Sequence, residues 1–584
     1  MIDNILDYAR IALYTLLAIL GFLLYQAWIA DHPPAGAAAT SAATTSVVSS
    51  STTAAATDHY VPDATTTATA ATTTTAVAAS SSPPSSMVAT PANTPLPTLA
   101  KGQLVKVMTD LLQVTIDTRG GDIVEAQLLK YPESLGSVSP FLLFNDNPST
   151  RYIAESGLLS KRGPDMSSAQ ALYKTAKTDY VLDPNQNSLV VKFNWEENGV
   201  KVTKLFTFTR DSYEIKIGYE INNQSLQPWE GNLYTQFIRT DTPPPSHGGL
   251  VNLATYFGAA ISSPQKPYEK ISFGDMRSNN LERVIPDGWV AMVQHYFVGA
   301  WVPPKTAVST YYSKNLGNNL YAIGMIGAAV TAAPGATIAA ESKLYAGPAI
   351  AERLEKTAPS LQLTIDYGWF WFIAIAIFWM MQKIYDVVGN WGWAIVLVTV
   401  IIKLLFYHLS NKSYRSMSMM KKLQPKIEAL KLRHGDDKQA LTKATLDLYR
   451  QEKVNPMSGC LPILVQIPVF IALYWVLVES VQLRQAPFIL WIHDLSQQDP
   501  YYILPILMGI SMYLQQRLNP PPPDPLQAKV MMLLPIVFTV MFANFPAGLM
   551  LYWFVNNTLS FLQQWYIMHK MGKETTSTIV RNTT

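Results

Sequence analysis

Cysteine and charge are what this chain has least of. One cysteine, Cys460, occurs in 584 residues, so no intramolecular disulfide can form and any exported domain must stand on its apolar core. None lies near the N-terminus, so no lipoprotein anchor is expected. Charged residues make up 15% of the chain against 49% hydrophobic, too few charges for a purely soluble protein of this length. The net charge of +3 implies no global affinity for nucleic acid, and no sequence-specific nucleic-acid binding is expected. Among the 8 histidines, His295 and His408 stand apart from Cys and from a second His at ligand spacing, and read as packing or interface residues. His247 with a carboxylate could serve sugar chemistry, but no spacing supports it. No nucleotide loop or catalytic triad appears, so no catalytic residue, metal site or cofactor is expected and the chain does not read as an enzyme.

What the chain has is segregated. Ile11 to Ala30 is an uncharged run of the ~20 residues a helix needs to cross a bilayer, and residues 1–31 read as an uncleaved anchor. Its rival is a cleaved signal peptide, which bulky Trp28 beside the cut disfavours. Residues 32–100 are rich in Ala, Thr, Ser and Pro, as in Thr72-Thr-Thr-Thr75, and read as a disordered tether. Residues 101–348 alternate with period two in Leu112-Gln-Val-Thr-Ile-Asp, Ser188-Leu-Val-Val-Lys-Phe-Asn-Trp and Lys204-Leu-Phe-Thr-Phe-Thr. Turn signals such as Arg119-Gly-Gly-Asp and Asn222-Asn223 separate them, which predicts an antiparallel β-sandwich. Tyr321 to Ala340 is uncharged but rich in Gly, Ala and Thr and broken by Pro334, so strands are expected there rather than a membrane helix.

The last third, 389–568, is predicted to be a helical membrane core, joined to the sandwich through 349–388. Spans are expected at Gly392–Leu409, Met457–Val481, Pro500–Gln516, Ala528–Phe545 and Ala547–Met568, with a stiff turn at Pro520-Pro-Pro-Pro and a tight one at Phe545-Pro-Ala-Gly548. Residues 411–455 carry eleven cations from Lys412 to Lys453 and the acids Glu428, Asp436, Asp437, Asp447 and Glu452. They read as a cytoplasmic helical hairpin, turned at Gly435 and capped by Asp436 or Asp437. Pro425 is expected to mark the kink where span passes into hairpin. Tyr367 to Met381, short and rich in Trp, is expected to lie in the membrane interface. Were it to cross, the basic stretch would fall outside, against the positive-inside bias. With the anchor this gives six spans, both termini and a short tail 569–584 in the cytoplasm, and the sandwich outside.

Lys403 lies deep in the first of these core spans. A charge at that depth costs at least ~2.5–3.5 kcal/mol, so it is expected to face protein or water. Thr399, Lys403 and Tyr407 recur at i, i+4, i+8 and should share one helix face; Trp553, Asn556, Ser560 and Gln563 do likewise on the last span. Gln466 and Gln515 add polar groups on two further spans. These stripes could line one hydrated cavity, or could be hydrogen bonds between helices. The Met417–Met420 run with Lys421 and Lys422 could be helix packing or a soft surface for apolar partners, and Arg433 extends the basic face.

The membrane portion resembles the YidC family of membrane-protein insertases in its bacterial six-span form. The resemblance rests on Gly389-Asn-Trp-Gly, Leu423-Gln-Pro-Lys-Ile, Gly435-Asp-Asp-Lys-Gln, Lys453-Val-Asn-Pro-Met-Ser-Gly-Cys-Leu-Pro-Ile-Leu-Val-Gln-Ile-Pro, Leu490-Trp-Ile-His-Asp-Leu and Phe545-Pro-Ala-Gly-Leu. The external domain resembles the family more loosely, through Gly288-Trp-Val-Ala-Met-Val-Gln, and implies a sugar-binding-type sandwich. The resemblance implies an inner-membrane insertase and chaperone with a groove open to lipid and cytoplasm. Lys403 would be its one basic residue, where Arg is frequent, and Thr399, Gln466 and Tyr552 match groove positions, with Trp553 where Tyr is frequent. It further implies nascent membrane proteins as substrates, and the translating ribosome and the Sec translocon as partners.

Overall fold

The computed structural model describes residues 60–62, 102–166, 170–243, 255–435, 437–452, 454–455, 461–520 and 525–583. The expected anchor, Asp436 and the triproline after Pro520 lie outside them.

Alternating apolar side chains dictate the first part. Strand Val200–Thr209 buries every second residue from Val200 to Phe208, and its neighbours repeat the pattern, so two sheets of ten and nine strands pack face to face between Leu104 and Pro348. Tyr321–Ala340 falls into strands Leu320–Ala332 and Thr337–Pro348, as its glycines and Pro334 indicate. Without disulfides, the sandwich is held by large rings. Trp229, Trp289 and Trp301 are fully buried, each removing an area that contributes ~4–6 kcal/mol. Their indole N–H groups donate to the carbonyls of Arg162, Pro359 and Gln236, each at 3.0 Å, so burial leaves no donor unmet. At the Arg119-Gly-Gly-Asp turn, Gly120 and Gly121 both take φ near 67°, open to glycine at no steric cost. The turn brings the Gly120 carbonyl to 2.9 Å from the buried Lys204 Nζ.

From residue 371 the period changes to helical. We label these helices α1 (Trp371–Val388), α2 (Trp391–Leu405), α3 (Tyr407–Lys422), α4 (Gln424–His434), α5 (Lys438–Gln451), α6 (Leu461–Glu479), α7 (Ile503–Leu518), α8 (Pro525–Met541) and α9 (Ala547–Thr583). Three differ from expectation. The span expected to run to Leu409 stops at Leu405, because the chain bends by 68° at Phe406 between α2 and α3. That bend, not Pro425, is where the apolar helix passes into the basic region; Pro425 sits in the first turn of α4, where a missing N–H costs nothing. The last helix runs on to Thr583, so the expected tail after Met568 continues it. The hairpin turn falls at Gly435, and the Asp437 carboxylate caps α5 by accepting from the Gln439 and Ala440 N–H groups.

Sandwich and helices meet along the α6–α7 connection. Arg484 donates to the carbonyls of Pro132 (2.7 Å) and Glu133 (2.9 Å), and its guanidinium faces the rings of Phe141 and Phe297. His295 Nε2 donates to the Val478 carbonyl at 2.9 Å. The same connection holds the start of α9, where Ala547 N–H donates to the Gln497 carbonyl, and the start of α2, where Asn390 reaches the carbonyls of Pro487 and Phe488. So α2 and α9 both begin on the sandwich side and run away from it. Helix α1 behaves differently. It is 18 residues and apolar, long enough to cross a membrane by length and composition. Yet its leading segment contacts the end of α6, with Gly368 beside Trp475, while its trailing end joins Asn390, which reaches Pro487 and Phe488. Both ends meet the same side of the bundle.

Candidate functional site

Lys403 is on the last turn of α2, away from the sandwich. Its Nζ donates to Ser560 Oγ of α9 at 2.6 Å, and Ser560 in turn donates to the Asn556 carbonyl at 2.7 Å. Asn556 Oδ1 accepts from Gln466 Nε2 of α6 at 2.5 Å, and Gln466 also bonds the Tyr552 hydroxyl. Three helices are thus joined by one polar chain, Lys403–Ser560–Asn556–Gln466–Tyr552. Among the described residues no carboxylate pairs with Lys403, and an ammonium has three donors, so donors remain beyond the one Ser560 accepts. A small open recess adjoins it, lined by Ile402, Lys403, Phe406, Leu409, Ser410 and Gln466.

On the sandwich side of this chain the surface turns aromatic. Trp553 lies between Phe470, stacked at 5.0 Å, and Phe542, edge-on at 4.2 Å; Phe545 packs on Phe542 at 4.7 Å. Trp553 precedes Ser560 by two turns of α9, ~10 Å along the axis. The polar chain therefore has an aromatic layer between it and the sandwich side.

The expected site residues divide accordingly. Lys403, Gln466, Tyr552, Asn556 and Ser560 come together. Thr399 does not line the recess: it is buried, and its hydroxyl donates to the Ile395 carbonyl one turn back, as apolar surroundings require of a lone hydroxyl. Tyr407 leaves the shared face because the bend at Phe406 separates it from Thr399 and Lys403; only its carbonyl stays near, accepting from Gln563 at 3.3 Å. Trp553 is packing in the aromatic layer rather than a polar member of the stripe. Gln515 has no hydrogen bond to this set among the described residues. In the hairpin, Met420 is buried with Leu423 and Val454, and Met417 packs on them, so both belong to the hairpin's own core while Met419 is exposed. Lys422 donates to the Met571 carbonyl of α9 at 3.3 Å; Lys421 is half-buried, and Arg433 and Asp437 are exposed. Sequence reasoning missed Ser410 and Tyr414 of α3. Tyr414 bonds Ser560 beside Lys403, and the buried series Ser410, Ser413, Tyr414, Ser418 at helical spacing was the available signal.

A cation held in a polar seam among apolar helices, beside a β-sandwich, points to a membrane-embedded class of protein. The comparisons narrow it. The family model for the YidC periplasmic domain matches residues 104–380, and that for the 60Kd inner membrane protein matches 383–574. The membrane protein insertase YidC of Coxiella burnetii is 45% identical over 569 residues, 96% of each chain. That of Stutzerimonas stutzeri is 49% identical over 478 residues, 82% of this chain and 86% of the relative. A crystal structure of an active YidC insertase with its first transmembrane domain resolved aligns at 18% identity over 80% of this chain and 95% of that one, TM-score 0.37. The chain belongs to the YidC family of membrane protein insertases, non-enzymatic proteins of the inner membrane with a periplasmic domain.

Proposed function

We propose that this protein inserts and helps fold nascent inner-membrane proteins by drawing their polar ends into the seam around Lys403. The single observation that carries the reading is a cation with no carboxylate partner among the described residues, held by Ser560 beside a recess among α2, α3 and α6. Such a seam lowers the cost of moving a substrate's polar tail part-way across the bilayer, and Lys403 attracts acidic groups in that tail. The membrane potential then favours the outward passage of each negative charge by ~2.3 kcal/mol per 100 mV. The substrate's apolar segment leaves sideways into lipid. Lysine supplies the charge but not the bidentate fork of arginine, so the step asks for attraction rather than paired hydrogen bonds.

The same reading places both termini and the hairpin in the cytoplasm. It lays α1 in the outer interface, supported by the return of both its ends to the sandwich side and by its exposed Trp371, Phe372, Ile375 and Trp379. The hairpin's exposed cations suit contact with the translating ribosome, and the α1 face or sandwich would meet the Sec translocon. Reconstituted Lys403→Glu protein should insert an acidic-tailed single-span substrate about tenfold less well, as reversal of one close charge in a half-hydrated site implies, whereas Lys403→Arg should retain insertion. Equal insertion by the Glu variant at matched protein levels would remove the electrostatic step.

A further inference from the structure

Most apolar side chains of the ten-stranded sheet face the sandwich core, but a second set points the other way. Val124, Ile153, Ile238 and Ala322 form one cluster on the outer face, and Leu159, Tyr234, Tyr312 and Ile326 form another. Period-two alternation requires this: Tyr152, Phe237, Tyr321 and Ile323, their immediate neighbours, belong to the inner core. Between the two outer clusters runs a cross-strand row, Glu155–Gln236–Gly324–Tyr312, each residue paired with the next. Gly324 opens a notch in it, since a Cβ there would meet Gln236 Cβ at 2.6 Å. Across the notch the Tyr312 hydroxyl donates to Gln236 Oε1 at 2.5 Å, while Gln236 Nε2 donates to Glu155 Oε2 at 2.6 Å. Gln236 and Glu155 are fully buried, so their alignment is fixed.

The Gln236 amide is also aimed at something outside the sheet. Its Nε2 donates to the main-chain carbonyl of Tyr60 at 2.6 Å. The Tyr60 side chain packs on both outer clusters, Val61 on the second, and Pro62 is buried. These three residues come from the middle of the Ala/Thr/Ser/Pro-rich stretch 32–100, where Tyr60 is the sole aromatic residue. We propose that Tyr60-Val61-Pro62 is a built-in docking motif, and that the outer face of the ten-stranded sheet is its receptor. One main-chain carbonyl read by a buried amide, with apolar seats for the flanking side chains, is how a sheet holds a short extended peptide. Docking divides the tether. Of the ~245 Å of contour in residues 32–101, only the ~100 Å of residues 32–59 precedes the motif. The motif does not depend on the groove or on what passes through it.

The test uses the full-length protein in membranes, in a Cys460→Ser background. Maleimide labelling from the periplasmic side is timed at Val61→Cys and at Thr75→Cys, which lies in the same stretch without an aromatic neighbour. Docking predicts labelling at Val61→Cys about tenfold slower or more, as a site occupied nine-tenths of the time requires. Adding Tyr60→Gly should restore the rate to that of Thr75→Cys. Equal rates at the two positions, or protection that survives Tyr60→Gly, would overturn the proposal. Protection that disappears on dilution in detergent would do so too, assigning the groove to a second copy's segment.

Discussion

At the scale of single residues, the informative contrasts are between polar groups that share a seam and those that close on their own backbone. Lys403 and Thr399 sit one turn apart on α2, yet only Lys403 reaches another helix. Their spacing of four puts both on one helix face, but it could not show that a hydroxyl among Ile395, Val398 and Ile402 would turn back to its own helix. His295 offers a second residue-scale test. Burial against the core pushes its pKa down to about 4, with the Val478 carbonyl partly opposing and Arg484 adding to the fall. The folded protein thus keeps this imidazole neutral while an unfolded chain takes up a proton near pH 6.5. The unfolded state binds more protons across that window, so stability should fall as pH drops from 6.5 towards 4. Thermal melts across this range should lose part of their pH dependence in His295→Gln; an unchanged profile would place the titrating group elsewhere.

At the scale of elements, the helices of the core were legible because a run of apolar residues needs no tertiary context. Their ends were not. Nothing in Leu404-Leu-Phe-Tyr-His marks the bend at Phe406, since no proline or glycine lies there. The bend instead accompanies the burial of Ser410, Ser413 and Tyr414 against α9, a tertiary effect. Helix α1 shows the opposite case. Its length and composition pass for a span, and the meeting of its two ends with the end of α6 and with the α6–α7 connection joins the charge-bias argument for lying along the membrane. If α1 lies in the outer interface, cysteines at Trp371 and Val387 should both be labelled by an impermeant reagent from the periplasm. Labelling of one end from each side would make α1 a span.

At the scale of the whole molecule, sandwich and core are joined by few but well-made contacts. Arg484→Ala removes two charge-assisted hydrogen bonds and two ring contacts, so about 3–5 kcal/mol of docking should be lost. Amide exchange at 132–141 and 484–496 should speed up while the sandwich core stays protected; unchanged exchange would mean that docking rests elsewhere. The sandwich itself was readable from alternation and turn chemistry, and the Arg119-Gly-Gly-Asp turn was visible as a turn. Its service to Lys204 was not, because that contact spans 84 positions. Nor could composition reveal that Tyr60 has a seat 176 positions away on Gln236.

The central claim is that the seam around Lys403 receives substrate. A photo-reactive residue at Gln466 and another at Leu409, both lining the recess, should crosslink to a stalled single-span nascent chain, while one at Trp393, exposed near the sandwich end of α2, should not. Crosslinks from both recess positions and none from Trp393 are the predicted result. Crosslinks from neither recess position, with the nascent chain still inserting, would contradict it and leave Lys403, Ser560, Asn556 and Gln466 as bonds that merely hold three helices together.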